Sequence, residues 1–137
     1  MNVTQFERIF LLDAHQHELG QMKRTLEMMD LARQTFTFCR AGEALSQMMQ
    51  PGRVPDVLIS ATRMQDESIR GFMRRFEALP RWVTDKVKVF VLAPPLSMFN
   101  DGEPYHHRLI QRTMHKPFCV YELMEGIKSR SPLYEYS

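Results

Sequence analysis

The sequence predicts an α/β fold, a parallel sheet covered by helices on both faces, and two observations carry that expectation. Short apolar runs of strand length alternate with segments whose apolar residues recur at helical spacing, from residue 8 to residue 128. The first run, Ile9-Phe10-Leu11-Leu12, is nearly continuous, as in a strand buried on both faces. Such strands are parallel, and parallel neighbours need crossover connections, which the intervening helices supply.

Taken in order, Arg8 to Leu12 is read as the first strand, ended by Asp13, and Leu19, Met22, Leu26 and Met29 mark the buried face of a first helix. Thr35 to Cys39 alternates β-branched and aromatic residues and is read as a second strand. Ala44, Leu45, Met48 and Met49 mark a second helix stopped by Pro51-Gly52. Val57 to Ser60 forms the third strand. Ile69, Phe72, Met73, Phe76 and Leu79 then form the inner face of a third helix closed by Pro80. Lys88 to Leu92 is the fourth strand and Arg112 to His115 the fifth; Val120, Leu123, Met124 and Ile127 carry the last helix. Gly102 and Pro104 stand where a fourth helix belongs, and both are poor in a helix interior. That helix is expected to be short, displaced or broken. The resulting architecture is a flavodoxin-like three-layer sandwich with strand order 2-1-3-4-5, its sites at the carboxyl ends of the strands. Residues 1–128 are read as a single domain and residues 129–137 as a tail.

Composition excludes several function classes. The chain has 137 residues, 44% hydrophobic and 25% charged, enough for one ordinary core without staples or metals. A formal charge of +2 is too small to argue for nucleic acid, and the cluster Arg70, Arg74 and Arg75 reads as a solvated helix face. No apolar run approaches the roughly 20 residues of a membrane helix, and the first residues lack a signal-peptide core, so no membrane partner and a cytoplasmic location are expected. Cys39 and Cys119 form neither a CxxC nor a metal-ligand spacing, and they are expected too far apart to bridge. The 11 methionines read mainly as core residues. The turn after the first strand, Asp13-Ala14-His15-Gln16-His17, has no glycine to admit a dinucleotide pyrophosphate. His15 and Asp13 alone are too few for a metal site, so no metal and no cofactor are expected.

Five segments in this order and spacing carry a resemblance. They are Ile9 to Ala14; Pro55-Asp56 leading to Ala61 and Met64; Phe72, Phe76, Leu79 and Pro80; Val89 to Ala93; and Lys116-Pro117-Phe118. Together they resemble a response-regulator receiver domain over residues 8 to 128. The resemblance implies a phosphoacceptor aspartate at the position of Ala61, a pair of metal-binding acids at Asp13 and Ala14, and a lysine at Lys116 followed by a cis peptide bond. Phosphoryl transfer to a carboxylate needs that acceptor and acidic oxygens around a divalent cation. Here the acceptor and one metal ligand are methyl groups. One carboxylate and one ammonium group remain, a poor inventory for magnesium.

Neighbouring residues offer little replacement. Ser60 points to the opposite face of a period-two strand, and Asp66 or Glu67 would have to swing back toward the site. Arg63 has two readings, one with its guanidinium on Asp13 and one in solvent. The switch that the resemblance implies, a hydroxyl on the fourth strand and an aromatic residue on the fifth, is replaced by Ala93 and Thr113. Ile69 stands where a glycine commonly precedes the third helix.

The vestigial pocket is thus Asp13, Ala14, Ala61, Arg63, Ala93 and Lys116. The expected function is a phosphorylation-independent receiver-like module, without catalytic activity, that binds a protein partner of a bacterial two-component pathway. The alternative is a small anionic ligand in the vacated pocket; an enzyme on this scaffold has only the fold's versatility in its favour. With no output segment after residue 128, output is expected to pass through that partner. The candidate contact face, for a partner or a homodimer, lies between the fourth and fifth helices and includes Met98, Phe99 and Tyr105, apolar and aromatic anchors of the kind interface centres favour. The same side chains could instead fill the gap left by a shortened helix.

Overall fold

Strands and helices alternate along the chain as the apolar pattern predicts. The computed structural model describes residues 5–95 and 105–128. In it β1 spans Phe6–Leu12, α1 Gln16–Met28, β2 Ala32–Phe38, α2 Ala41–Met48 and β3 Val57–Ala61. They are followed by α3 at Ile69–Glu77, α4 at Arg81–Thr84, β4 at Lys88–Ala93, β5 at Ile110–His115 and α5 at Val120–Lys128. The strands form one parallel sheet in the order β2-β1-β3-β4-β5, the flavodoxin-like arrangement.

The two faces of the sheet are sorted by the period of a strand, since alternate side chains point to opposite sides. Phe10, Leu12, Leu58, Val89 and Val91 pack with α2 and α3, while Ile9, Leu11, Ile59, Phe90 and Leu92 pack with α1 and α5. Both clusters are buried. Ser60 belongs to the α2/α3 side, where its hydroxyl donates to the Ala61 carbonyl at 2.8 Å and lies 3.4 Å from the Met64 sulfur. Ala61, one residue on, faces the α1 side. At the edges of the sheet stand Cys39, after β2, and Cys119, after β5; both are free. Four interstrand steps of about 4.8 Å separate them, well beyond the roughly 7 Å a disulfide spans.

Some boundaries differ from the sequence expectation. In α1 the buried residues are Leu19, Met22 and Leu26, and Met29 caps the helix in solvent instead of extending its inner face. Asp30 then turns the chain with φ +53°, a left-handed conformation that aspartate tolerates better than most residues. Met49 likewise caps α2 and is exposed. Helix α3 is opened by Ser68, whose hydroxyl accepts the Gly71 N–H at 3.3 Å, and it stops at Glu77. Pro80 therefore does more than close it: its fixed φ of −57° starts the one-turn helix α4, with Val83 buried beneath.

The fourth helix expected between the last two strands falls mainly on residues outside the described ones, as do Met98, Phe99 and the tail at 129–137. Residues 105–109, on the near side of β5, are not helical. They lie against α3. The Arg70 guanidinium sits 4.6 Å from the centre of the Tyr105 ring, and the Glu77 carboxylate, two turns along, lies 3.3 Å from His107 Nε2 and 3.6 Å from the Arg108 guanidinium. Of the arginine cluster, Arg70 thus holds Tyr105 and Arg75 pairs with Glu67.

Candidate functional site

A parallel sheet delivers the ends of β1, β3, β4 and β5 to one edge, and that geometry gathers most of the expected pocket. Asp13 follows β1 and is 2% exposed. Its N–H donates to the Phe38 carbonyl at 3.1 Å, and its Oδ1 accepts the His15 N–H at 3.1 Å. Ala61 ends β3 and Ala93 ends β4. Lys116 follows β5, tied to β4 by its N–H donating to the Ala93 carbonyl at 2.9 Å, and its bond to Pro117 is cis.

The ammonium group of Lys116 is the centre of the site. It donates to Asp13 Oδ2 at 3.2 Å and to Glu18 Oε1 at 2.7 Å, with the lysine side chain 21% exposed. Desolvation alone would lower the lysine pKa. The hydrogen bonds to Glu18 and Asp13, and their charges, outweigh burial and raise it above its ordinary value. Glu18 was not among the residues expected from sequence; it belongs to the first turn of α1, where an acid is common because of the helix dipole. Only the fold brings it to a lysine 98 residues away.

Arg63 does not join the group. Its side chain is exposed and makes no ion pair with a described residue, while its carbonyl accepts the Ala14 N–H at 3.1 Å. The solvent reading of Arg63 is the one the structure bears out. Asp66 and Glu67 do not swing back. Asp66 accepts from the N–H groups of Ala41 and Gly42, at 2.7 and 3.0 Å, and so caps α2 from a loop 25 residues away. Desolvation would raise its pKa, but those backbone bonds prevail and hold the carboxyl below its usual value. Gln65 pins the same loop through Cys39 and Ala14. Glu67 pairs with Arg75.

A divalent cation does not fit what remains. Ala14 and Ala61 offer no side-chain donor atom, and although Asp13, His15 and Glu18 have ligand atoms within 4.8 Å of one another, the Lys116 ammonium already engages both carboxylates. Of the other histidines, His17 and His106 are exposed, and His115 donates from Nδ1 to the Pro94 carbonyl at 3.0 Å. Ala93 and Thr113 are half-buried, with no hydroxyl at the first and no ring at the second. At Cys39 burial first, then the charges of Asp13 and Glu43, push the thiol pKa up.

Beside Lys116 lies a cavity of about 840 Å³ between α1 and the ends of β3 and β4. Ala61, Leu92, Lys116, Pro117 and Phe118 line it together with Met22 of α1. The methyl group of Ala61 thus opens onto an apolar space.

No family model matches the sequence, and no curated protein matches it significantly. Solved structures do match. A two-component response regulator from Cytophaga hutchinsonii superposes with a TM-score of 0.75 at 12% identity, covering 90% of this chain and 95% of that one. A response regulator receiver protein from Dyadobacter fermentans gives 0.71 at 18% identity, covering 89% and 95%. A CheY-like receiver domain from Methylobacillus flagellatus gives 0.70 at 19% identity, covering 89% and 96%. In fold, the chain is similar to response-regulator receiver domains.

Proposed function

We propose that the chain is a phosphorylation-independent receiver-like module that acts by binding a protein partner in two-component or related signalling. The observation that carries this reading is the Lys116 ammonium bonded to Asp13 and Glu18, at 3.2 and 2.7 Å, beside the methyl groups of Ala14 and Ala61. The ammonium group engages both carboxylates that a cation would need, and no carboxylate stands at the end of β3 to accept a phosphate. Ala93 and Thr113 add to the argument, since they lack the hydroxyl and the ring that would report a phosphate. Binding, without catalysis, is the role that this inventory leaves. The contact face proposed for a partner or a second copy is the region between β4 and α5. Tyr105 is half-buried there beneath Arg70 and packs on the core, which makes it a support of that face more than its tip. Met98 and Phe99 lie outside the described residues.

The test is direct. Incubation with acetyl phosphate and magnesium should leave the mass of the intact protein unchanged. A stable adduct of one phosphate would overturn the reading. A second reading, a small anionic ligand in the vacated pocket, is favoured by the 840 Å³ cavity that Ala61 and Lys116 share.

A further inference from the structure

The cavity beside Lys116 falls within the roughly 300–1,000 Å³ that enclose small organic ligands. Its walls are largely apolar, with Met22, Leu92, Pro117 and Phe118 among them; Lys116 and Glu18 line it too, and Arg24 of α1 is a second cation on its wall. Lys116 holds two carboxylates of very different freedom. Asp13 is buried and tied to the His15 N–H. Glu18 stands on the first turn of α1 with its side chain 38% exposed, and Lys116 is its sole hydrogen-bond or ion-pair partner among the described residues.

That asymmetry selects a ligand class. A carboxylate entering the cavity can replace Glu18 on the lysine Nζ, exchanging one charge-assisted hydrogen bond for another while Glu18 turns into water. The charge around Lys116 is unchanged by the exchange. A neutral molecule gains no such bond, and a phosphate dianion brings an additional negative charge close to Asp13. We propose that the cavity binds an apolar monocarboxylate, anchored by Lys116, and that Glu18 occupies the anchor when no ligand is bound. This inference rests on the pocket reading above and names its ligand class.

Calorimetric titration of the whole chain with 4-phenylbutyrate, its neutral amide and inorganic phosphate tests it. The acid should bind, with the amide and phosphate at least about tenfold weaker, a difference of about 1.4 kcal/mol. Glu18→Gln, which removes the internal competitor, should tighten the acid about tenfold. Lys116→Met should lose it. Should that variant fold poorly, Thr25→Trp gives a second measure, because Thr25 is exposed on α1 and lines the cavity. It should block binding of the acid with little change in the thermal transition. Equal affinity for acid and amide, or no gain in Glu18→Gln, would refute the carboxylate exchange and leave a pocket. Binding of phosphate without the acid would refute the ligand class and leave the anion reading. Silence of all three probes with both the native chain and Glu18→Gln would overturn both.

Discussion

Lys116 is one cation serving two acids, and the burial of each acid decides what its loss costs. Without the ammonium, Glu18 regains water, but Asp13 is left 2% exposed with only the His15 N–H and no cation, since Arg63 is in solvent. Without Asp13, the lysine keeps Glu18. Lys116→Met should therefore destabilise by about 2–4 kcal/mol and Asp13→Ala by about 1–2, both below the cost of breaking a fully buried pair because the lysine is partly hydrated. Urea denaturation checks the order. The pH dependence has a definite sign. Since the folded lysine pKa is raised above its ordinary 10.5, the pair's contribution is complete below the unfolded value and lost as pH rises through the folded one. The gap between native chain and Lys116→Met should be level from about pH 6 to about pH 9 and shrink beyond about pH 10.5. A larger loss for Asp13→Ala, or a gap that persists in strong alkali, would show that Lys116 is not the cation that matters. The sequence supplied Asp13 and Lys116 through the resemblance to receiver domains. It left Arg63 open and missed Glu18, because a first-turn acid is common on any helix and its partner depends on how α1 docks.

Helix α5 shows the same division between local pattern and packing. Its apolar spacing at Val120, Leu123, Met124 and Ile127 is readable, yet Gly126, which spacing does not mark, is buried with Leu123. A Cβ at Gly126 would lie 2.5 Å from Cε2 of the buried Phe90 ring on β4. In an exposed helix, Gly to Ala gains about 1 kcal/mol from backbone entropy. Here overpacking against a fixed ring outweighs it, and Gly126→Ala should destabilise by about 1–3 kcal/mol. A thermal melt decides the sign: a raised midpoint would mean that α5 can move away from Phe90 at little cost. Helix α2 was also only half readable. Arg40 at its N-cap makes no side-chain cap, and the missing bonds come from Asp66, across a loop whose course depends on the sheet.

At the scale of the molecule, topology was legible because the strands announce themselves through apolar runs of strand length, and most of the crossovers through helical spacing between them. The contacts of the candidate site were less legible, because they depend on packing across the carboxyl edge of the sheet. The same edge separates two properties that a receiver combines, capture of phosphate and transmission of its presence. Ala14→Asp with Ala61→Asp returns carboxylates to the ends of β1 and β3 beside Asp13, giving a cation the oxygens it needs and phosphate an acceptor. The double variant should acquire one phosphate from acetyl phosphate and magnesium, while Ala61→Asp alone, short of a metal ligand and facing the bound Lys116 ammonium, should stay nearly unmodified. Transmission should still fail. Ala93 has no hydroxyl to follow the phosphoryl oxygens, Thr113 has no ring to turn, and residues 105–109 are fastened to α3 through Arg70 and Glu77. Amide chemical shifts of the phosphorylated double variant should therefore change in the loops after β1, β3 and β4 and around Lys116, and stay fixed at Tyr105, His107 and Thr113. Shifts spreading into those three residues would mean that the sheet couples its carboxyl edge to the face between β4 and α5 without the hydroxyl and the ring.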